Sequence, residues 1–483
     1  MSRVDSDRGS RQDLFGRGMI YVVVWSMQLV VATAISPVLA HLLPVEEFGA
    51  LAAAIALYQL LLLLAVFGLD QALEMRRLED PDAARTRGLL AAGICFAFLI
   101  VAAFALSSPL WSSMLGFAGY RDLVLITFGW AAPGAAVMLM MALLQAEDRL
   151  AQFAFVSILS SAGGPVIGLA IMLSMGDRSA VTYAWGGVFA QSLALVLGLC
   201  WTRPRPAGLR DLPEFRRVLA FGAPLLLAGL SQFVLAAADR LAVLRVLGEA
   251  EVARYQIAFT IGNVMSLLLT FTNRAWLPRL KSLSDVAQRW QVIEQARDGI
   301  YVLLGWAILG VTLGAPVLLR VLAPPSYQPD SLVVVVFVVA CCAIPVASGA
   351  ASMQLLTTIG DTRPLGWSAV LAVAVKIVVT AALLVPLGIL GAAIATLVAL
   401  TAQVGLLRWI ATRRQPATRP NRRVLGFGAA ALVVAALSVL LPQSAGWNAG
   451  RFAISLALTI PFFMRMRILQ RANPAAPDPG EKS

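Results

Sequence analysis

Lys376 stands in the middle of an apolar run, about nine residues from either end, hence roughly 14 Å from each membrane surface at about 1.5 Å per helical residue. An ammonium at that depth costs about 2.5–3.5 kcal/mol on insertion scales, so it belongs in a bundle interior or a watery cavity. There it can attract an anion. The alternative is a lysine that snorkels, or pairs with a carboxylate, for packing alone. Asp239 and Arg240 close the seventh apolar run, followed by Arg245 and Arg254. They form either a local ion pair at headgroup level or a cationic outer vestibule that touches substrate. Asp70 and the pair Asn273 and Arg274 occupy equivalent ends of two runs, where a gate and a helix-end polar contact have the same sequence signature. Gln28, Gln145, Gln232, Gln256, Asn263 and Gln354 lie in or at the ends of runs, and their amides can bond sugar hydroxyls or tie helices together.

Covalent chemistry finds no such candidates. His41 is the sole histidine, beyond Pro37, and a proton-relay role for it has no identified partner. Cys95, Cys200, Cys341 and Cys342 all fall in apolar runs without CxxC spacing, which argues against a disulfide framework or a zinc site. A glycan polymerase, ligase or glycosyltransferase needs a catalytic carboxylate or base in an extracytoplasmic loop. The outer loops are short, and their paired acids, Glu46 with Glu47 and Glu249 with Glu251, suit helix N-termini. No catalytic residue, metal or cofactor is assigned.

The elements that position these residues must be membrane helices. The chain is 59% hydrophobic and 13% charged, against about 45–50% and about 25% in soluble domains. Apolar runs are expected as spans near 18–40, 50–69, 88–108, 123–144, 153–175 and 181–201, then 218–238, 253–272, 299–322, 331–355, 365–385 and 387–410, and finally 424–441 and 449–464. That predicts an all-α integral membrane fold of about 14 helices. Basic residues collect in alternate loops, at 3–17, 76–87, 203–217, 274–297, 413–423 and 465–471, so the positive-inside rule puts both termini in the cytoplasm. The net charge of +12 follows this topology and forms no single basic stripe, so a nucleic-acid partner is not expected. The run from Met19 exceeds a signal-peptide core and follows three acids, Asp5, Asp7 and Asp13, so it is read as a retained helix.

The halves repeat at a spacing of 204 residues, from Gln28 to Gln232. At that offset the segment from Leu42 to Gly49 falls on the segment from Val246 to Ala253, and Phe67-Gly68-Leu69-Asp70 falls on Phe271-Thr272-Asn273-Arg274. The expected organisation is a six-helix bundle at 1–202, a cytoplasmic linker at 203–217, a second six-helix bundle at 218–411, two extra spans at 412–464 and a tail at 465–483. Substrate would sit where the halves meet. The stretch 281–297 has Leu283, Val286, Trp290 and Ile293 at helical spacing among charges, which suits either a helix lying on the cytoplasmic face or a solvated linker helix.

Gln28, the turn from Leu43-Pro44 to Phe48-Gly49, Phe67-Gly68-Leu69-Asp70-Gln71-Ala72-Leu73 and Gly391-Ala392-Ala393-Ile394-Ala395-Thr396 together resemble the polysaccharide-exporter (Wzx-type) flippases, of the superfamily that also holds MATE multidrug exporters. The resemblance covers roughly residues 10 to 411. It implies alternating-access transport of an undecaprenyl-pyrophosphate-linked oligosaccharide through a cationic central cavity in a bacterial inner membrane. The partners it implies are that lipid-linked oligosaccharide, membrane lipid, a coupling ion (H+ or Na+), and a glycan polymerase with other export components. A MATE-like exporter of small solutes is the alternative, and it predicts acidic cavity residues. The substrate-contact candidates are Lys376, Arg240, Arg245, Arg254, Asp239, Gln28 and Gln232, and the gate candidates are Asp70, Asn273 and Arg274.

Overall fold

The structure, a computed structural model, describes residues 31, 33–79, 83–266, 286–359, 363–414 and 421–471. Among them there is no strand. Long runs of Leu, Ala and Val satisfy their own backbone groups only as helices once water is removed. Some breaks are capped by polar side chains, as by Ser179 before Ala180–Thr202, Asp211 before Leu212–Ala236 and Asn421 before Arg422–Val439, or by a left-handed glycine, as by Gly176 after Gly164–Met175. The helices are α1 (Thr33–Leu42), α2 (Val45–Val66), α3 (Leu69–Glu79), α4 (Ala83–Trp111), α5 (Arg121–Ala146), α6 (Leu150–Ile158), α7 (Gly164–Met175) and α8 (Ala180–Thr202). There follow α9 (Leu212–Ala236), α10 (Ala238–Leu247), α11 (Glu249–Gly262), α12 (Val286–Leu322), α13 (Val333–Cys341), α14 (Ala343–Ile359), α15 (Arg363–Leu387), α16 (Ile389–Arg414), α17 (Arg422–Val439) and α18 (Ala445–Arg471).

Among the described residues, 12 helices are long and apolar enough to cross a membrane. The chain is an all-α, multi-pass membrane protein. Of the two other expected spans, 18–40 is described only as α1 and 253–272 only as part of α11, and their remainders lie outside the described residues. The expected span 153–175 is composite: α6 and α7 are joined by a π-helical turn at Leu159–Gly163. Pro165 has no N–H to give back, and Gln191 Nε2 donates to the Ser160 carbonyl at 3.1 Å, so the ladder slips by one residue there. The basic stretch expected as a surface or linker helix is, from Val286 onward, continuous with the span that ends at Leu322. The apolar spacing that suggested a separate element is that of the span's own first turns. Residues 281–285 lie outside the described residues.

Contacts divide the chain between Ala253 and Arg254 into two compact units. In the first, α5 packs against α2, α4 and α8, and α9 and α10 pack against α2. Leu51, Leu57, Leu61, Leu123, Leu139 and Met140 fill its centre, each at most 1% exposed. The stretch 203–217 is built into this unit: Asp211 caps α9 by accepting from the Glu214 N–H at 3.2 Å, and the Arg205 N–H donates to the Arg87 carbonyl at 3.0 Å. In the second unit α12 packs against α13, α14, α17 and α18, while α16 packs against α13, α14 and α15.

Candidate translocation site and gate contacts

Lys376 lies at the middle of α15 and is 2% exposed. The α15–α16 hairpin turns at Gly388, whose φ of 58° is free to a residue without Cβ. The two helices then run close, since a Cβ on Gly391 would fall 2.2 Å from the Leu383 carbonyl oxygen. About two turns farther along this antiparallel register, Lys376 meets Thr396. Lys376 Nζ donates to Thr396 Oγ1 at 3.0 Å, and that hydroxyl donates to the Ala392 carbonyl at 3.1 Å. The lysine is thus held in a bundle interior by a hydroxyl whose own proton is already committed to the helix.

The seventh span ends differently from expectation. α9 stops at Ala236, Ala237 leaves helical geometry with φ −133°, and α10 begins at Ala238. Asp239 and Arg240 therefore start a new helix, where they are 1% and 7% exposed, and Arg240 Nη1 donates to the Ala236 carbonyl at 2.6 Å. This burial is deeper than headgroup pairing predicts. Arg245 is exposed on the same short helix. Arg254, in the second unit, donates from Nη2 to Ser331 Oγ at 2.7 Å, beside Asp330, which takes Arg320 at 2.9 Å. Gln232 is exposed on α9. Gln28, Asn273 and Arg274 lie outside the described residues.

α2 has a close backbone contact at each end, and neither was anticipated. At its first turn, a Cβ on Gly49 would fall 1.8 Å from the Glu249 carbonyl oxygen and 3.1 Å from the Ala253 nitrogen. These are the repeat-equivalent turns, so the internal repeat places its two acidic helix starts side by side. The acids were expected at helix N-termini, and Glu46 and Glu47 do begin α2 while Glu249 and Glu251 begin α11. Glu47 Oε2 also accepts the Ala180 N–H at 2.7 Å. Tyr120 sits in their field: its phenol is pushed up to about 12, by burial first and then by Glu249, Glu47 and Glu46.

At the other end Phe67 and Gly68 are both left-handed, with φ 53° and 71°. Here a Cβ on Gly222 of α9 would fall 2.2 Å from the Phe67 carbonyl oxygen. Asp70 follows in the first turn of α3, half-buried. Burial raises its carboxyl above the ordinary carboxylate value, partly offset by the backbone N–H groups of Gln71 and Asp70 itself. Arg76 pairs with Glu214 of α9, which also takes Arg217 at 3.3 Å, so ion pairs join α3 to α9 beside the glycine contact.

His41 is exposed, its Nδ1 2.9 Å from the Pro37 carbonyl within its own helix. The four cysteines are free. Among the described residues no group of three His, Cys, Asp or Glu is placed to hold a metal ion.

Residues 38–297, more than half of the chain, match the family model described as polysaccharide biosynthesis protein. No curated protein matches by sequence alone. Among solved structures, the fold is similar to that of the lipid II flippase MurJ in an inward closed conformation, with TM-score 0.69 at 12% identity, covering 93% of this chain and 99% of that one. It is also similar to an inward-facing MATE-family multidrug resistance transporter of the MOP superfamily, with TM-score 0.60 at 13% identity over 83% and 96% of the two chains. A eukaryotic MATE transporter, AtDTX14, gives 0.52 at 15% identity over 87% and 97%.

Proposed function

This chain belongs to the polysaccharide biosynthesis protein family, and we propose that within it the protein is an alternating-access flippase. Its cargo in this reading is a polyprenyl-pyrophosphate-linked oligosaccharide, carried from the cytoplasmic to the outer leaflet of a bacterial inner membrane for cell-surface polysaccharide synthesis. Both termini are cytoplasmic, and the internal repeat supplies two bundles that rock against each other. The observation that carries the proposal is Lys376, a cation buried at mid-span beside Thr396 in a chain of this family and fold.

The physical requirement is specific. A diphosphate crossing about 30 Å of hydrocarbon needs its lost hydration replaced. A cation near the midplane supplies attraction without a rigid cage that would hinder release. Lys376 meets this requirement once alternation admits water to its side of the α15–α16 hairpin. The contacts at the two ends of α2 are then the closures that alternate, with Asp70 beside one of them. Asp239 and Arg240 follow the α9–α10 break directly and Arg245 lies in the last turn of α10, and Arg254 with the amides Gln28 and Gln232 completes the set of candidate contacts in this reading.

The burial of Asp239 favours a second reading, a MATE-like exporter of small cationic solutes, because that activity calls for a carboxylate in the path. Deleting the protein separates the two. A flippase predicts accumulation of lipid-linked repeat units facing the cytoplasm, continued synthesis of those units and loss of surface polymer. Normal surface polymer in the deletion strain, with new sensitivity to cationic solutes, would favour the exporter instead.

A further inference from the structure

We propose, resting on the flippase reading above, that Gln59 of α2 and Gln232 of α9 form a sugar-contact pair in the first unit. The pair takes hydroxyl groups of the cargo oligosaccharide and leaves the diphosphate to other residues. α2 packs against α4, α5, α8, α9 and α10. From Glu47 to Val66 its single exposed residue is Gln59. In the middle of α4 the exposed large residues are Phe98, Leu99 and Leu106, as suits contact with lipid tails. An amide turned to lipid at the same depth would lose its hydrogen bonds with nothing in return. The opening on α2 is therefore one that water or a polar ligand enters.

Glycine contacts fix the register of α2 against α9. A Cβ on Gly222 would fall 2.2 Å from the Phe67 carbonyl oxygen, and one on Gly229 would fall 2.4 Å from Leu63 Cδ1. The two contacts advance in opposite chain directions, so the helices are antiparallel. Gln59 lies eight residues before Phe67 and Gln232 ten residues after Gly222, which puts them about 12 and about 15 Å from the same contact. They share one level, near the middle of a core about 30 Å thick. Gln59 continues the stripe of Phe67 and Leu63 at a spacing of four, and Gln232 continues that of Gly222, Leu225 and Gly229 at a spacing of three. Each amide thus stands on the side of its helix turned to the other. Both are exposed, so the close approach of the helices ends about one turn short of them.

Interhelical glue is the ordinary use of an amide in a membrane bundle, and the same unit contains an example. Gln191 on α8 is 4% exposed, and its Nε2 donates to the Ser160 carbonyl at 3.1 Å, to Ser160 Oγ at 3.2 Å and to the Tyr58 hydroxyl at 3.3 Å. Neither Gln59 nor Gln232 makes a hydrogen bond among the described residues. An amide both donates and accepts, as a hydroxyl does, and carries no charge. Two such groups on facing sides suit the hydroxyls of a sugar, whereas a diphosphate selects guanidinium or ammonium groups. Neutral contacts also stay moderate in strength, which leaves the cargo free to depart.

The test measures binding of two lipids to the purified full chain in detergent, by native mass spectrometry. One is a polyprenyl-pyrophosphate-linked oligosaccharide and the other is the same polyprenyl pyrophosphate without sugar. Loss of one neutral hydrogen bond weakens binding by about fivefold. Gln59→Leu and Gln232→Leu should therefore each weaken the sugar-bearing lipid by about fivefold, and together by about 25-fold, with the bare lipid unchanged. Both single variants should unfold at the wild-type temperature, whereas Gln191→Leu should unfold lower without changing the ratio of the two affinities. Wild-type affinity for the sugar-bearing lipid in the double variant would overturn the pair. So would equal weakening of both lipids, or a lower unfolding temperature in both single variants, since either result would assign the amides to holding α2 against α9. Those results leave the flippase reading standing. A wild-type chain that holds neither lipid more tightly than phosphatidylcholine would instead remove that reading, and the pair with it.

Discussion

At the Pro44 end of α2, Gly49 lies against the Glu249 carbonyl and the neighbouring side chains are acids. At the Asp70 end, Gly222 lies against the Phe67 carbonyl and the neighbouring side chains are ion pairs. The backbone contacts are alike, since in both a Cβ would collide with a carbonyl oxygen. The electrostatics differ. Burial first, and then Glu249, Glu47 and Glu46, raise the phenol of Tyr120, whereas Arg76, Glu214 and Arg217 bring opposite charges together between α3 and α9. Forcing an extra group into a packed contact costs about 1–3 kcal/mol. Leaving the buried Glu214 or its partner unpaired costs a similar amount, about 1–3 kcal/mol. In the flippase reading both terms bear on closure, and charge is what distinguishes the two ends. In the proposed topology the acidic end faces outward, so the outer closure is the weaker one.

The largest effect should come from filling the glycine contacts. Gly222→Leu and Gly49→Leu should each lower translocation by about tenfold or more, by wedging one end open, while the protein still reaches the membrane. Thiol labelling separates the ends. Ala72→Cys, 3% exposed in the native chain, should label faster with Gly222→Leu, and Ala50→Cys, 0% exposed, faster with Gly49→Leu. Equal labelling at both ends in both variants would mean that the contacts are not closures.

A middle-sized effect is expected from Glu214, which is 7% exposed and holds Arg76 and Arg217. Glu214→Gln should destabilise the Asp70 end by about 1–3 kcal/mol, seen as faster labelling there. Combining Arg76→Glu with Glu214→Arg should recover much of it. No recovery in the swapped pair would assign Glu214 a packing role alone.

The smallest effects are those of pH, and they sit in different ranges at the two ends. Tyr120 is raised in the folded protein, so its contribution is complete below its ordinary value of 10.0 and is lost as pH climbs toward about 12. Tyr120→Phe should remove that alkaline loss from the unfolding curve. Asp70 is raised too, so its contribution is complete below the ordinary carboxylate value and falls as pH rises through its folded one. At neutral pH its ionised form is a net cost. Asp70→Asn should then leave stability equal or higher in thermal unfolding at pH 7. A marked loss would show that the carboxylate accepts bonds the asparagine cannot.

Much of this architecture is legible in the residues. Apolar runs mark spans because lipid leaves the backbone few alternatives, and the mid-run position of Lys376 fixes its depth before any contact is known. Partners are harder to read. Thr396 meets Lys376 only because Gly388 and Gly391 set the register of a hairpin, and Glu214 meets Arg76 across 138 residues of chain. The contacts of Gly49 and Gly222 carry no periodic signal, although the former lies in a repeat that the sequence reveals. The α9–α10 break at Ala237 has neither proline nor glycine to announce it.

The central claim is that Lys376 carries a lipid-linked diphosphate across the bilayer. Its most direct test is translocation in proteoliposomes holding a polyprenyl-pyrophosphate-linked oligosaccharide, read by a membrane-impermeant glycan-binding probe. The account predicts protein-dependent movement, a loss of about tenfold or more for Lys376→Gln and Lys376→Met, and retention of a good part by Lys376→Arg, at equal amounts of folded protein. Wild-type movement by Lys376→Met, or an oligosaccharide that is lengthened or transferred rather than moved, would contradict it.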